Sequence, residues 1–154
     1  MQTIFKKWYK FLNEKNKSHV ASIFIIDSDD KVLIIRRTKT APTKAGYWEI
    51  PGGRTDPKDK DAKETAAREA KEETGLAVED LVKISTEQSD NKTKHYYATK
   101  TYTGNIILEP NPQTDILEHD DYKWASIEEI EELGEQTTVD AYLLKKAISH
   151  KKDS

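Results

Sequence analysis

Apolar residues return along this chain in two rhythms, one helical and one alternating, and the changes between them mark out its elements. Ile4, Phe5, Trp8, Tyr9 and Leu12 recur at helical spacing with lysines between them, predicting an amphipathic helix over residues 2 to 15. Its expected use is docking onto the core or onto a second copy in a homodimer, ahead of a membrane surface. Two β-branched runs follow, near 19–26 and 31–37, around the polar Asp27-Ser28-Asp29-Asp30, which predicts a hairpin. A polar loop with Pro42 and Lys44 leads into the short strand Tyr47-Trp48-Glu49-Ile50. Helical spacing then resumes from 62 to 74, where Ala62, Ala66, Ala67 and Ala70 make a face of small residues able to lie close on a sheet. Asp61 with Glu64 reads as its capping box and Gly75 as its left-handed terminator.

Beyond that helix the pattern is mostly β. Leu76 to Ser85 is predicted as one strand, Ser89 to Lys94 as a turn, His95 to Tyr102 as an alternating strand, and Gly104-Asn105 as a turn before Ile106-Ile107-Leu108. An acidic, Pro-bearing loop runs from Glu109 to Asp121, followed by a strand from Tyr122 to Ser126. Ser126 and Glu129 form a capping box for the next helix, and Thr138 to His150 closes the chain as another, packing through Val139, Tyr142, Leu143 and Ala147. The expected architecture is α/β, with helices on both sides of a mixed, curved sheet.

At 154 residues with no repeat or linker, the chain is read as one domain, 1–154, with residues 1–17 as a helical extension. Charged residues make up 34% of it, yet the net charge is only −3, so no global basic field draws it to nucleic acid or to anionic membrane. With no cysteine, disulfides and thiolate metal sites are excluded. Lysines interrupt the apolar residues near the N-terminus, unlike a secretory h-region, and no run reaches the ~18 apolar residues of a membrane helix. A cytoplasmic protein is expected.

Candidate chemistry lies in Trp48 to Leu76. At ~100° per residue, Glu69, Glu72 and Glu73 share one face of the predicted helix, where they repel one another unless a cation joins them. An acidic face bathed in solvent is the plain alternative, and Glu64 with Arg68 has the i,i+4 spacing of a surface ion pair. The context favours the cation. Pro51-Gly52-Gly53 directly precedes the helix loop, and such a turn can aim main-chain carbonyls at an ion.

These residues resemble the Nudix box of the Nudix hydrolases, G-x5-E-x7-R-E-U-x-E-E-x-G-U with U aliphatic. Gly53 opens the match, and Arg68-Glu69-Ala70-Lys71-Glu72-Glu73-Thr74-Gly75-Leu76 completes it. Two departures stand out. The interval from Gly53 to Arg68 is one residue too long, so that Asp59 or Lys60 falls where the first glutamate belongs, and Ala70 takes the aliphatic place. Position 59 is therefore expected to supply no metal ligand, with plain solvent exposure as the bland alternative.

The resemblance covers residues 20–150 and implies the Nudix α/β/α sandwich of MutT-like proteins. It implies Mg²⁺ or Mn²⁺ held by Glu69, Glu72 and Glu73 with the Gly53 carbonyl, Arg68 orienting the carboxylates, and hydrolysis of the pyrophosphate linkage of a nucleoside diphosphate joined to some group X. A Nudix-fold nucleotide-binding or sensor module without turnover is the alternative. Glu69 or Glu118 is the expected general base, Glu118 because it precedes the Tyr122-to-Trp124 strand and can approach from outside the helix. Arg37, Trp48 and Tyr96 are the candidate substrate contacts; a solvated strand end for Arg37 and sheet packing for Tyr96 are their structural alternatives. The proline that ADP-ribose hydrolases carry beyond the box is missing from Asp90-Asn91-Lys92-Thr93. X stays open among deoxynucleoside triphosphates, dinucleoside polyphosphates and nucleotide sugars.

Overall fold

A computed structural model describes residues 17–151, so the helix predicted over residues 2 to 15 lies outside the described residues. Nine strands and three α-helices follow. They are β1 (Ser18–Ile25), β2 (Val32–Arg37), β3 (Trp48–Glu49), β4 (Gly52–Arg54), α1 (Ala62–Thr74), β5 (Ala77–Glu79), β6 (Val82–Gln88), β7 (Lys92–Thr99), β8 (Thr101–Thr103), β9 (His119–Ala125), α2 (Ile127–Leu133) and α3 (Ala141–Ser149).

The last three residues of β1, Ile23–Ile25, are buried without alternation because both faces of the strand are covered there. Ala21, Ile23 and Ile25 pack with Ala66 and Ala70 of α1, together with Leu76 and Tyr97. Phe24 and the following Ile26 pack on the other side with Ile130 of α2 and with Leu143, Leu144 and Ala147 of α3. Sheet lies between α1 and the α2–α3 pair, which is the expected α/β/α sandwich.

Hydrogen bonding divides the strands into three groups: β4-β1-β7-β6, β3-β2-β9 and β5-β8. The first is mixed, with β1 and β7 parallel and the outer pairs antiparallel. The predicted β1–β2 hairpin is corrected here. Its turn forms, with Asp27 Oδ1 accepting from the N–H groups of Asp29 and Lys31, but only the bridge between Ile26 and Val32 joins the two strands. Strand β1 gives its edges to β4 and β7, and β2 gives its edges to β3 and β9, leaving neither free for the other.

The single strand expected from Leu76 to Ser85 is two, parted at Asp80, which takes φ 54°. The strand expected from His95 to Tyr102 likewise breaks at Lys100. The breaks face each other: the buried Thr99 hydroxyl donates to the Glu79 carbonyl and accepts from the Thr101 N–H. Lys100 instead reaches the end of α3, donating to the carbonyls of Ile148 at 2.8 Å and His150 at 3.1 Å. Ile106 to Leu108 is not a strand, although the Ile107 N–H donates to the Thr74 carbonyl at 2.8 Å. The last helix starts later than expected, at Ala141, because Asp140 caps it by accepting from the Leu143 N–H. Strand β9 starts earlier, at His119.

Candidate functional site

Helix α1 has the predicted ends. Asp61 accepts from the Glu64 N–H at 2.8 Å, and Gly75, at φ 84°, donates to the Lys71 carbonyl. The Thr74 hydroxyl also donates back to the Ala70 carbonyl, so the last turn is tied twice. This helix presents Arg68, Glu69, Glu72 and Glu73, with Glu69 and Glu73 set against Gly53 and Gly52 at the edge of the sheet.

All five donors of the Arg68 guanidinium are used. Nε and Nη2 hold the two oxygens of Asp59 at 3.0 Å each, Nη2 also donates to the Arg54 carbonyl, and Nη1 divides between Glu69 Oε1 and Glu72 Oε2 at 3.1 Å each. Arg68 thus hydrogen-bonds to two of the box carboxylates, Glu69 and Glu72. The Glu64–Arg68 ion pair expected from spacing is absent, since no donor remains for it.

Solvent exposure, the bland alternative for position 59, is overturned. The Asp59 side chain is only 3% exposed, and it accepts from Arg68, from the Thr65 hydroxyl at 2.8 Å and from the Asp56 N–H at 2.9 Å. Arg68 beside it lowers its carboxyl to about 2. The longer loop therefore delivers an acid to Arg68 and ties the loop to the first turns of α1. Sequence spacing could not show this, because the path of an irregular loop carries no period.

Glu73 is deeply placed. Its Oε1 accepts from the Gly52 N–H at 3.0 Å, and its Oε2 lies 3.5 Å from His119 Nδ1. Burial first, then the nearby Glu69, raises its carboxyl well above the usual carboxylate range. Burial likewise raises Glu69. Gly53 explains how close this packing is: a Cβ there would fall 2.5 Å from Glu69 Oε1. Glycine at 53, which lies in strand β4, is thus required by the carboxylate.

His119 and Glu49 were not anticipated. The imidazole is 4% exposed, and its Nε2 lies 3.1 Å from Glu49 Oε2. Glu49 in turn meets Arg37 Nη1 at 3.4 Å, so Arg37, Glu49, His119 and Glu73 form one connected row. Glu49, Glu73 and His119 bring a donor atom each within 4.8 Å of one another. The two ring nitrogens nevertheless point in opposite directions, one to each carboxylate, so His119 is a bridge between them rather than a shared ligand. A lone histidine in an acidic loop gave no sequence signal for this.

Glu118 comes from outside the helix. It lines a small cavity with Glu69, Glu72, Glu73, Glu109, Asn111 and His119, and the Asn111 amide donates to its Oε1 at 2.8 Å. On the other side of Gly52 and Gly53 opens a cleft of about 340 Å³, lined by Arg37 and Tyr96 among others. Trp48 is not part of its lining. The indole packs against the core, with the Arg36 guanidinium carbon 5.6 Å from the ring centroid. Of the three candidate substrate contacts, the structure brings Arg37 and Tyr96 together and leaves Trp48 apart.

A row of carboxylates on one helix, held by Arg68 and lining a small cavity with Glu118 and His119, gives this α/β/α protein a concentrated acidic site. The NUDIX domain family model matches residues 16–147, and the chain belongs to that family. Nudix hydrolase 22, chloroplastic, of Arabidopsis thaliana is 44% identical over 50 residues, which are 32% of this chain and 17% of that protein. Nudix hydrolase 15, mitochondrial, of the same organism is 38% identical over 69 residues, 45% of this chain and 24% of that one. The matches thus span less than a quarter of either relative's length. The crystal structure of the MutT NUDIX hydrolase from Burkholderia pseudomallei superposes with a TM-score of 0.67 over 86% of this chain and 98% of that one, at 21% identity. That likeness shows the fold. Among the described residues no helix is long and apolar enough to cross a membrane.

Proposed function

We propose that this chain hydrolyses the pyrophosphate linkage of a nucleoside diphosphate joined to a group X, with Mg²⁺ or Mn²⁺ held by Glu69, Glu72, Glu73 and the Gly53 carbonyl. The observation that carries this reading is the burial of Glu69 and Glu73 side by side. Two neighbouring carboxylates removed from water are costly without a cation, and Arg68 spends much of its charge on Asp59. Hard oxygen donors in this number suit Mg²⁺ or Mn²⁺. When bound, such an ion would offset the charge growing on the phosphoryl group and acidify the attacking water.

The protein's own groups do the rest. The Gly52 N–H and His119 hold Glu73 in place, and Arg68 holds Glu69 and Glu72. Glu118, steadied by Asn111 and free of the helix, is placed to take the proton from water as it attacks phosphorus, a role worth ~10²–10⁴-fold. Arg37 and Tyr96 receive the remainder of the nucleotide in the cleft.

The test is a phosphate-release screen in magnesium and in manganese over nucleoside triphosphates, dinucleoside polyphosphates and nucleotide sugars, with calorimetry alongside. Turnover that stops with a chelator supports the reading. Nucleotide binding without turnover in either metal would identify a binding or sensor module instead. On the best substrate, Glu73→Gln is expected to lower kcat by ~10²-fold or more. A wild-type rate in a folded variant would remove Glu73 from the metal set.

A further inference from the structure

The cleft beside Gly52 and Gly53 carries more positive charge than a pyrophosphate bound at α1 would use. Its floor is one face of β1 and β7, where Val20, Ser22 and Phe24 lie beside Lys92, Lys94 and Tyr96. Arg37 and Lys44 line it as well. Four cations thus face two carboxylates, Glu49 and Asp140, in a chain whose net charge is −3.

Both carboxylates are already engaged. Glu49 meets Arg37 and His119, and Asp140 accepts from the Leu143 N–H at the start of α3. Lys44, Lys92 and Lys94 have no carboxylate within 4.0 Å among the described residues. The floor between them is apolar and aromatic, with the Phe24 and Tyr96 rings stacked at 6.2 Å. A concave wall with more positive than negative charge favours an anion within it. The ligand this suits has a ring for the floor and a separate, doubly charged group for the lysines. Gly52 and Gly53 border the cleft, and Gly53 also abuts Glu69, so one molecule can reach both places.

Resting on the hydrolase reading above, we propose that the preferred substrate carries a phosphate monoester on its ribose, apart from the scissile pyrophosphate, and that Lys92 and Lys94 recognise it. A phosphate monoester holds close to two negative charges at neutral pH and pairs well with lysine ammonium groups. A carboxylate would bring only one. The lysines come from alternate positions of a single strand, so they stand on one face at a fixed spacing.

The test compares NADH, NADPH and the 3′-phosphate isomer of NADPH, whose pyrophosphate is the same and whose ribose phosphate is absent, at 2′ or at 3′. At least one phosphorylated form is expected to exceed NADH in kcat/KM by about tenfold or more, and the preference should shrink as salt is raised. In the Lys92→Ala/Lys94→Ala double variant the ratio of phosphorylated to parent substrate should fall to within about threefold of one. Calorimetry in calcium, on the same three ligands and both proteins, reads the preference without turnover. Hydrolysis of all three at equal efficiency would overturn the proposal while leaving the hydrolase reading in place, as would a preference unchanged in the double variant. A binding preference that the variant loses, with no turnover of any nucleotide, would sustain the proposal and sink the hydrolase reading.

Discussion

Arg68 and Asp59 show how much single side chains decide in this site. With every guanidinium donor satisfied, Arg68 fixes two box carboxylates only while Asp59 holds its other edge. Asp59 has a lowered carboxyl value in the fold, so the stability it contributes is present above its unfolded value of ~4 and is lost as pH falls through about 2. Asp59→Asn should therefore unfold more easily than wild type near neutral pH, with the gap closing between about pH 4 and pH 2. Urea melts across that range measure it, and a gap independent of pH would show that Asp59 does not stabilise as a charged partner. His119 acts at one remove, through Glu73. His119→Ala is expected to raise the magnesium concentration for half-maximal rate by ~10-fold or more, the usual cost of losing a partner that orients a ligand. An unchanged metal dependence would reduce His119 to core packing.

Helix α1 is the element that turns sequence spacing into carboxylate geometry. Alanines 66 and 70 let it lie against β1, and its two ends are fixed by Asp61 and Gly75. Gly75 is held in the left-handed region, and a Cβ there would come 2.7 Å from the Asn105 carbonyl oxygen. Gly75→Ala should cost ~1–2 kcal/mol or more, seen as a lower denaturation midpoint. Equal midpoints would mean that the helix end relaxes freely. The strands behave differently from the helix. Asp80 and Lys100 each divide a run that reads as continuous, because pairing with β8 or with β7 lets the chain satisfy its backbone on two partners. Such choices depend on neighbours distant in sequence, so no local rhythm records them.

At the scale of the whole molecule, the site is an assembly of separate stretches: Gly52 and Gly53 of β4, the face of α1, Glu49 on β3, and Glu118 with His119 at the start of β9. Glu118 reaches the cavity only because β9 pairs with β2 at the edge of its sheet. Its proposed role is testable against that of the helix. Glu118→Gln should lower kcat by ~10²-fold with little change in magnesium half-saturation, whereas Glu69→Gln should alter both. If Glu118→Gln leaves kcat untouched, or weakens magnesium as Glu73→Gln does, the proton is taken elsewhere.

The chain by itself determined what short-range physics can write into it. Helical spacing placed Glu69, Glu72 and Glu73 on one face, the residue chemistry at Asp61 and Gly75 bounded the helix, and the β-branched run near residues 19–26 marked out a strand. Tertiary structure alone decided that β1 and β2 part company, that Asp59 turns inward to Arg68, that Trp48 packs into the core while Arg37 and Tyr96 line the cleft, and that His119 joins Glu49 to Glu73. The division has a physical reason. Helix periodicity and capping arise between residues three or four apart, whereas strand partners, loop paths and buried polar bridges are settled by which distant groups must find one another once water is excluded.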